Sequence, residues 1–286
     1  MRLFVVACSL ALLAATSAWA KPAVWIVRDA DSEMVLFGSI HVLPPDLDWR
    51  PPQLDAAVAA ADDLWFELPV GPEADQDVSR LAAQRGVLPP GRSLFAMLSR
   101  QDAARLAHVA DGLGVDKATL DRFEPWLAEV ALAAGAYARA GASGEYGVEH
   151  VLDIAAPPDL RREALETADQ QLALFDETPL KDQLASLRQS VMELETDPES
   201  YDDLVRAWQA GDLHALETEV LAPLRIASPK LFKRVVSERN ARWTTRLDAR
   251  LKGRGRTVVV VGAGHLIGEG GLPARLRALG YSVSGP

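Results

Sequence analysis

The sequence has almost no cysteine. Its single Cys, Cys8, lies inside an apolar leader, so the rest of the chain forms no internal disulfide and offers no thiol nucleophile. There is no Gly-x-Ser-x-Gly elbow, which disfavours a serine nucleophile. A basic stripe is also missing: the net charge is −10, with acidic and basic residues interspersed. Nucleic acid and an anionic membrane surface are therefore not expected partners. After the leader no hydrophobic run approaches membrane-spanning length, and no tract is of low complexity.

The leader MRLFVVACSLALLAATSAWA reads as a signal peptide over 1–20. Arg2 supplies the positive start, Leu3 to Ala15 the apolar stretch, and Ala18-Trp19-Ala20 the small-x-small cleavage site. A lipobox around Cys8 is the rival, but so early a cysteine leaves almost no apolar stretch before it. The expectation is an exported protein, periplasmic or secreted. Its mature chain, 21–286, is long enough to bury a large core as one domain.

Hydrophobic patterning separates the ends of the chain from its middle. Val24 to Val27, a polar turn at Asp29-Ala30-Asp31-Ser32, and Met34 to Phe37 read as a hairpin. A helix over 52–61 and a strand from Leu64 to Leu68 follow. To about residue 252 the pattern is mainly helical. Leu127, Val130, Ala134 and Tyr137 share one predicted apolar face, and Leu184, Leu187, Val191 and Leu194 another. Ala155-Ala156-Pro157-Pro158 interrupts the run as a loop, and pattern alone makes 160–167 helical. The chain then returns to strand at Thr257 to Val261, helix from Leu272 to Leu279, and a last strand at Tyr281 to Val283. The fold class expected is α/β (α+β). A central sheet is built from N- and C-terminal strands, with a large helical middle insertion.

The stretch VVVVGAGHLIG (258–268) has glycines after a strand, as dinucleotide sites do. Two features oppose that reading. Glu269-Gly270-Gly271 delays the next helix, whereas a phosphate site needs the helix to begin at the glycines. No Asp or Glu follows Leu272 to meet a ribose. The remaining chemical group in the stretch is His265. Four of the five histidines have Gly three residues earlier, so spacing decides nothing. Context does: only His41 and His265 follow an apolar strand directly, where α/β folds gather ligands. Glu67 closes the strand Leu64-Trp65-Phe66. Two histidines and a carboxylate are a recurrent set for a divalent metal with open positions, here His41, His265 and Glu67. A plain hydrogen-bonded structural role fits each residue equally well. On the predicted helix 229–251 the stripe Phe232, Val236, Trp243, Leu247 leaves a gap at Asn240, with Arg239 beside it. Polar groups so placed need a buried polar partner.

Six segments in order resemble the TraB/GumN family, grouped with the Tiki metalloproteases. They are FGSIHVLPPD (37–46), WFELP (65–69), YGVEHVLD (146–153), LETADQQLALFD (165–176), ERNARW (238–243) and VVGAGHLIGEGGLPARLRALGYSV (260–283). The resemblance covers nearly the whole mature chain. It implies that His41 and His265 are the two Gly-x-x-His histidines and Glu67 the strand-end carboxylate. It adds Glu166, which periodicity did not show, to Arg239 and Asn240. Where the family often has Gly-x-Asp, this chain has Gly147-Val148-Glu149, a longer carboxylate to which no role is assigned.

The function so implied is a metal-dependent peptidase. His41, His265 and Glu67 (or Glu166) would hold Mn, Co, Zn or Fe, and the other glutamate would serve as general base. Arg239 would stabilise an oxyanion, and Asn240 would orient a neighbour. The expected partner is a peptide or protein substrate. Two alternatives stay open: a non-catalytic ligand-binding or regulatory protein using the same cleft, and a structural partner in envelope polysaccharide assembly.

Overall fold

Strands β1 (Val24–Arg28), β2 (Ser32–Ser39), β3 (Asp63–Phe66), β4 (Arg161–Ala164), β5 (Gly255–Gly262) and β6 (Ser282–Ser284) form one sheet. Their order is β4-β3-β5-β2-β1-β6. The computed structural model describes residues 21–286, so the predicted signal peptide and its cleavage site lie outside the described residues. No helix among the described residues is long and apolar enough to cross a membrane.

The sheet follows from its sequences. Val258 to Val261 are fully buried, as a β-branched run covered on both faces should be, and β5 is accordingly central. The hairpin between β1 and β2 closes on Asp29, whose carboxylate accepts from Asp31 N, Ser32 N and Ser32 Oγ, an Asx turn. Beside β5, both β2 and β3 run parallel to it, and β4 runs parallel to β3. Four adjacent strands therefore end at one edge, where parallel sheets place their ligands.

Each face of the sheet carries helices. On one, Val35, Phe37, Phe66 and Val260 pack with Trp208 and Tyr201 of the helix Ser200–Ala210 and with Leu54 and Val58 of Pro52–Ala60. On the other, Leu36, Val259 and Val261 meet Trp243, Leu247 and Leu251 of the helix Arg239–Leu251. The inserted helices keep a further core of their own around Leu106, Leu132 and Leu187.

Two expectations fail. Residues 160–167 are not helical: they contain β4. As an edge strand it needs a neighbour on one side only. Its exposed Arg161 and Glu163 alternate with half-buried Arg162 and Ala164, a charged edge that resists further pairing. The apolar face predicted for the helix Pro125–Arg139 is also wrong. Val130 is half-exposed and Ala134 exposed, whereas Trp126, Ala128 and Leu132 are buried. In an alanine-rich helix the period fits more than one face. The bulk of Trp126, stacked on Phe175, decides between them.

Candidate functional site

Glu67 follows β3, and Glu166 follows β4. The backbone extends the pairing past both strands, with Glu166 N–H donating to Glu67 O at 2.9 Å, so the two carboxylates emerge side by side. Gly262 ends β5, and its N–H donates to Glu67 Oε1 at 2.6 Å. Ser39, the last residue of β2, is register-paired with Gly262, which places both Gly-x-x-His loops at the same edge. Gly38 lets the two loops pack closely there, since a Cβ would lie a tight 3.0 Å from Ala263 Cα.

Arg239 enters from the opposing helix, immediately after a π-helical turn over Lys233–Glu238. All five of its N–H groups are used. Nε and Nη2 grip Glu166 at 3.2 and 2.6 Å, and Nη2 also bonds Glu67. Nη1 donates to Val235 O, a carbonyl within the wide turn, and to His265 Nε2 at 3.0 Å. The guanidinium lies over the Trp243 ring, 4.4 Å from its centre. Glu67, Glu166, Arg239, Asn240 and His265 are all buried, so this is a desolvated ionic cluster, each member depending on the others.

Asn240 sets the state of His265. Its Nδ2 donates to the carbonyls of His265 and Gly270, which turns Oδ1 toward His265 Nδ1 at 2.6 Å. An amide oxygen only accepts, so Nδ1 carries the proton and Nε2 presents a lone pair to Arg239. The imidazole is neutral: burial, with Arg239 adding to it, pushes its pKa down to about 4 against the pull of Glu67. For Glu67 burial acts in the raising direction, but His265, Arg239, His41 and the Gly262 N–H outweigh it and hold the carboxyl at about 2. With His265 uncharged at neutral pH, Arg239 is the cation that matters most to Glu67.

His41 differs. Its side chain is 61% exposed, and Nδ1 lies 2.6 Å from Glu149 Oε1. The Glu149 carboxylate lifts its pKa to about 9, although partial loss of water on the ring's inner side opposes the shift. Ser39 Oγ donates to the same Oε1 at 2.6 Å.

The structure thus brings Glu67, Glu166, Arg239, Asn240 and His265 into one bonded cluster, with His41 beside it on separate partners. His150 and His214, which share the Gly-x-x-His spacing, stay exposed on helices. Two functional candidates gained no role from the sequence. Glu149 is one. Gln171 is the other, its Nε2 standing 3.4 Å from both Glu67 Oε2 and Glu166 Oε1. The signal for Gln171 was its place one helical turn beyond Glu166, behind the capping box of Thr167 and Gln170.

The expected metal set was tested against this geometry. Two imidazoles and a carboxylate suit a divalent transition ion chemically. Among the described residues, however, no group of three or more His, Cys, Asp or Glu side chains converges to hold one. His265 Nε2 and Glu67 Oε1 are 3.8 Å apart, and Arg239 bonds both residues. As arranged, the cluster does not fit an ion at His41, His265 and Glu67. A large open cleft of about 820 Å³ lies at the opposite end of the sheet, where β5 begins, and contains none of these residues.

The TraB/PrgY/gumN family model matches residues 23–285. The chain belongs to that family. Among its relatives is the "Uncharacterized protein YbaP" of Escherichia coli (strain K12), 28% identical over 257 residues, covering 90% of this chain and 92% of the relative. YbaP of Shigella flexneri matches with the same identity and coverage. No solved structure matches the chain.

Proposed function

We propose that this chain is an exported hydrolase that cuts a peptide or protein substrate at the strand-end cluster. The observation that supports the reading is the delivery of Glu166, Glu67, His265 and His41 by four adjacent parallel strands to one edge, with Arg239 lowered onto them from a helix. Residues that only stabilise a sheet have no reason to collect there.

In this reading His41 is the group that meets the substrate, being the only exposed member. Cationic at neutral pH, it gives its proton to the leaving amine as water adds to the carbonyl carbon. The water's proton passes to one of the two strand-end carboxylates, Glu67 or Glu166, which emerge side by side. The proton then returns to His41 through solvent. Arg239 holds both carboxylates in place, and Asn240 locks His265. A divalent ion at His41, His265 and Glu67 would require Arg239 to release Glu67 and His265. Metal dependence is therefore measured together with activity.

One observation favours a second reading. Arg239, Glu67 and Glu166 satisfy each other and are buried, which also suits a rigid ligand-binding protein.

The test combines metal analysis with hydrolysis of a fluorogenic peptide library by the mature chain, beside His41→Ala and the double variant His41→Ala/His265→Ala. Hydrolysis lost in the folded His41 variant supports the hydrolase. Peptide binding without cleavage transfers the site to the binding protein. About one transition-metal ion per chain, absent from the double variant, would make the hydrolase metal-dependent. Cell fractionation with N-terminal sequencing checks export and cleavage after Ala20.

A further inference from the structure

We infer that Glu149 is the positioning residue of His41, with Ser39 as its anchor and Gly147 as the residue that lets the two segments meet. The inference rests on His41 being the group that meets the substrate, although the geometry behind it stands independently.

The loop after β2 and the start of the helix Val148–Ala155 are fastened by their backbones. Val148 N–H donates to Ile40 O at 3.1 Å, and Leu43 and Ser143 exchange two hydrogen bonds, at 3.2 and 2.9 Å. The approach is so close that a Cβ on Gly147 would lie 2.0 Å from the His41 carbonyl oxygen. No other residue fits without moving one segment off the other. Gly147 and Glu149 are thus two halves of one device: the first allows contact, and the second, half a turn further on, uses it.

Glu149 is held from two sides. Its Oε1 receives His41 Nδ1–H and Ser39 Oγ–H, each at 2.6 Å. Its side chain is only 16% exposed, and it sits in the first turn of its helix, where a negative charge is favoured. An ordinary surface ion pair needs neither a buried serine on the same oxygen nor a cleared backbone behind the histidine. With Nδ1 committed, ring rotation is blocked. Nε2, which no protein group bonds among the described residues, is the edge left for chemistry. An aspartate here would be one methylene shorter and would reach His41 only with some shift of the helix.

The experiment is NMR of ¹⁵N-histidine-labelled protein, with the His41 signals assigned through His41→Ala. His265 Nδ1–H, bonded to Asn240, serves as an internal marker that the fold is intact. Wild type should show a downfield, exchange-protected Nδ1–H for His41. Glu149→Gln should shift it upfield and expose it to exchange, and Glu149→Asp should recover part of the protection. Ser39→Ala should speed exchange without loss of the signal. Should Glu149→Gln lose the His265 marker as well, Glu149→Asp and Ser39→Ala carry the test. An unchanged His41 signal in folded Glu149→Gln, or in Ser39→Ala for the anchor, overturns the inference. If the chain hydrolyses peptides, kcat of Glu149→Gln should fall by roughly 100-fold with KM unchanged, and Glu149→Asp should regain part. A chain that cleaves nothing sinks the hydrolase while leaving the NMR result to decide on Glu149.

Discussion

The two Gly-x-x-His loops leave register-paired strands, yet their histidines end in opposite states. His265 is buried, bonded at Nδ1 to a neutral amide, and neutral; His41 is exposed, bonded at Nδ1 to a carboxylate, and cationic. The motif determines where an imidazole is delivered. The helix packed over each loop determines what it is: Arg239–Leu251 brings Asn240 to one, and Val148–Ala155 brings Glu149 to the other. A shared motif is therefore weak ground for assigning two residues one role.

The sharpest way to break the comparison is on the buried side. Arg239→Met leaves the Glu67 and Glu166 carboxylates buried without their cation, at an expected cost of about 3–5 kcal/mol. Removing the charge on the His41 side by Glu149→Gln should cost less, about 1–2 kcal/mol, because solvent reaches the His41 ring. Chemical denaturation of both variants measures the contrast. Equal losses would mean that the Arg239 cluster is as hydrated as the His41 pair.

Next in size is the response to pH. His265 sits near 4 when folded, below its ordinary 6.5. The unfolded chain binds more protons in that window, so stability is complete above about pH 6.5 and falls as pH drops to 4. Glu67, near 2 against an ordinary 4.5, extends the loss further into acid. His41, raised to about 9, works the other way: its contribution is complete below about pH 6.5 and is lost as pH rises through 9. Solvent around the exposed ring makes that flank the shallower. Thermal midpoints from pH 4 to 9 should peak near neutrality, and His265→Gln should flatten the slope between 6.5 and 4. An unaltered slope in that variant would place the acid sensitivity elsewhere.

The smallest effect belongs to Gln171. Its two contacts are long, and Gln171→Leu should cost about 1 kcal/mol while leaving the His41 signals untouched. A loss comparable with Arg239→Met would show that Gln171 carries as much of the cluster as the arginine.

Much of this was legible in the sequence. An apolar run ending in glycine, mixed in Met34 to Phe37 and wholly β-branched in Val258 to Val261, reads as a covered strand, and these two runs revealed the sheet edge and both histidines. Arg239 and Asn240 showed themselves as polar residues in an apolar stripe, though not which partners they would find. Glu166 was legible only through family resemblance, because β4 is an edge strand whose charged residues imitate a helix surface. Glu149 and Gln171 were hidden for a different reason. Their roles arise from tertiary approach, and no local period encodes the clearance behind Gly147.

The position of β5 in the chain has a kinetic consequence. It is the strand that joins β2 to β3, yet it spans Gly255–Gly262 and is synthesised after nearly everything it must join. Until it arrives nothing joins the β1-β2 hairpin to the β3-β4 pair, and closing so long a loop precedes the contacts that unite them. Completion of the sheet therefore waits for the last part of the chain. A product ending before Gly255 lacks the strand that holds the early strands together, and is left open to proteases.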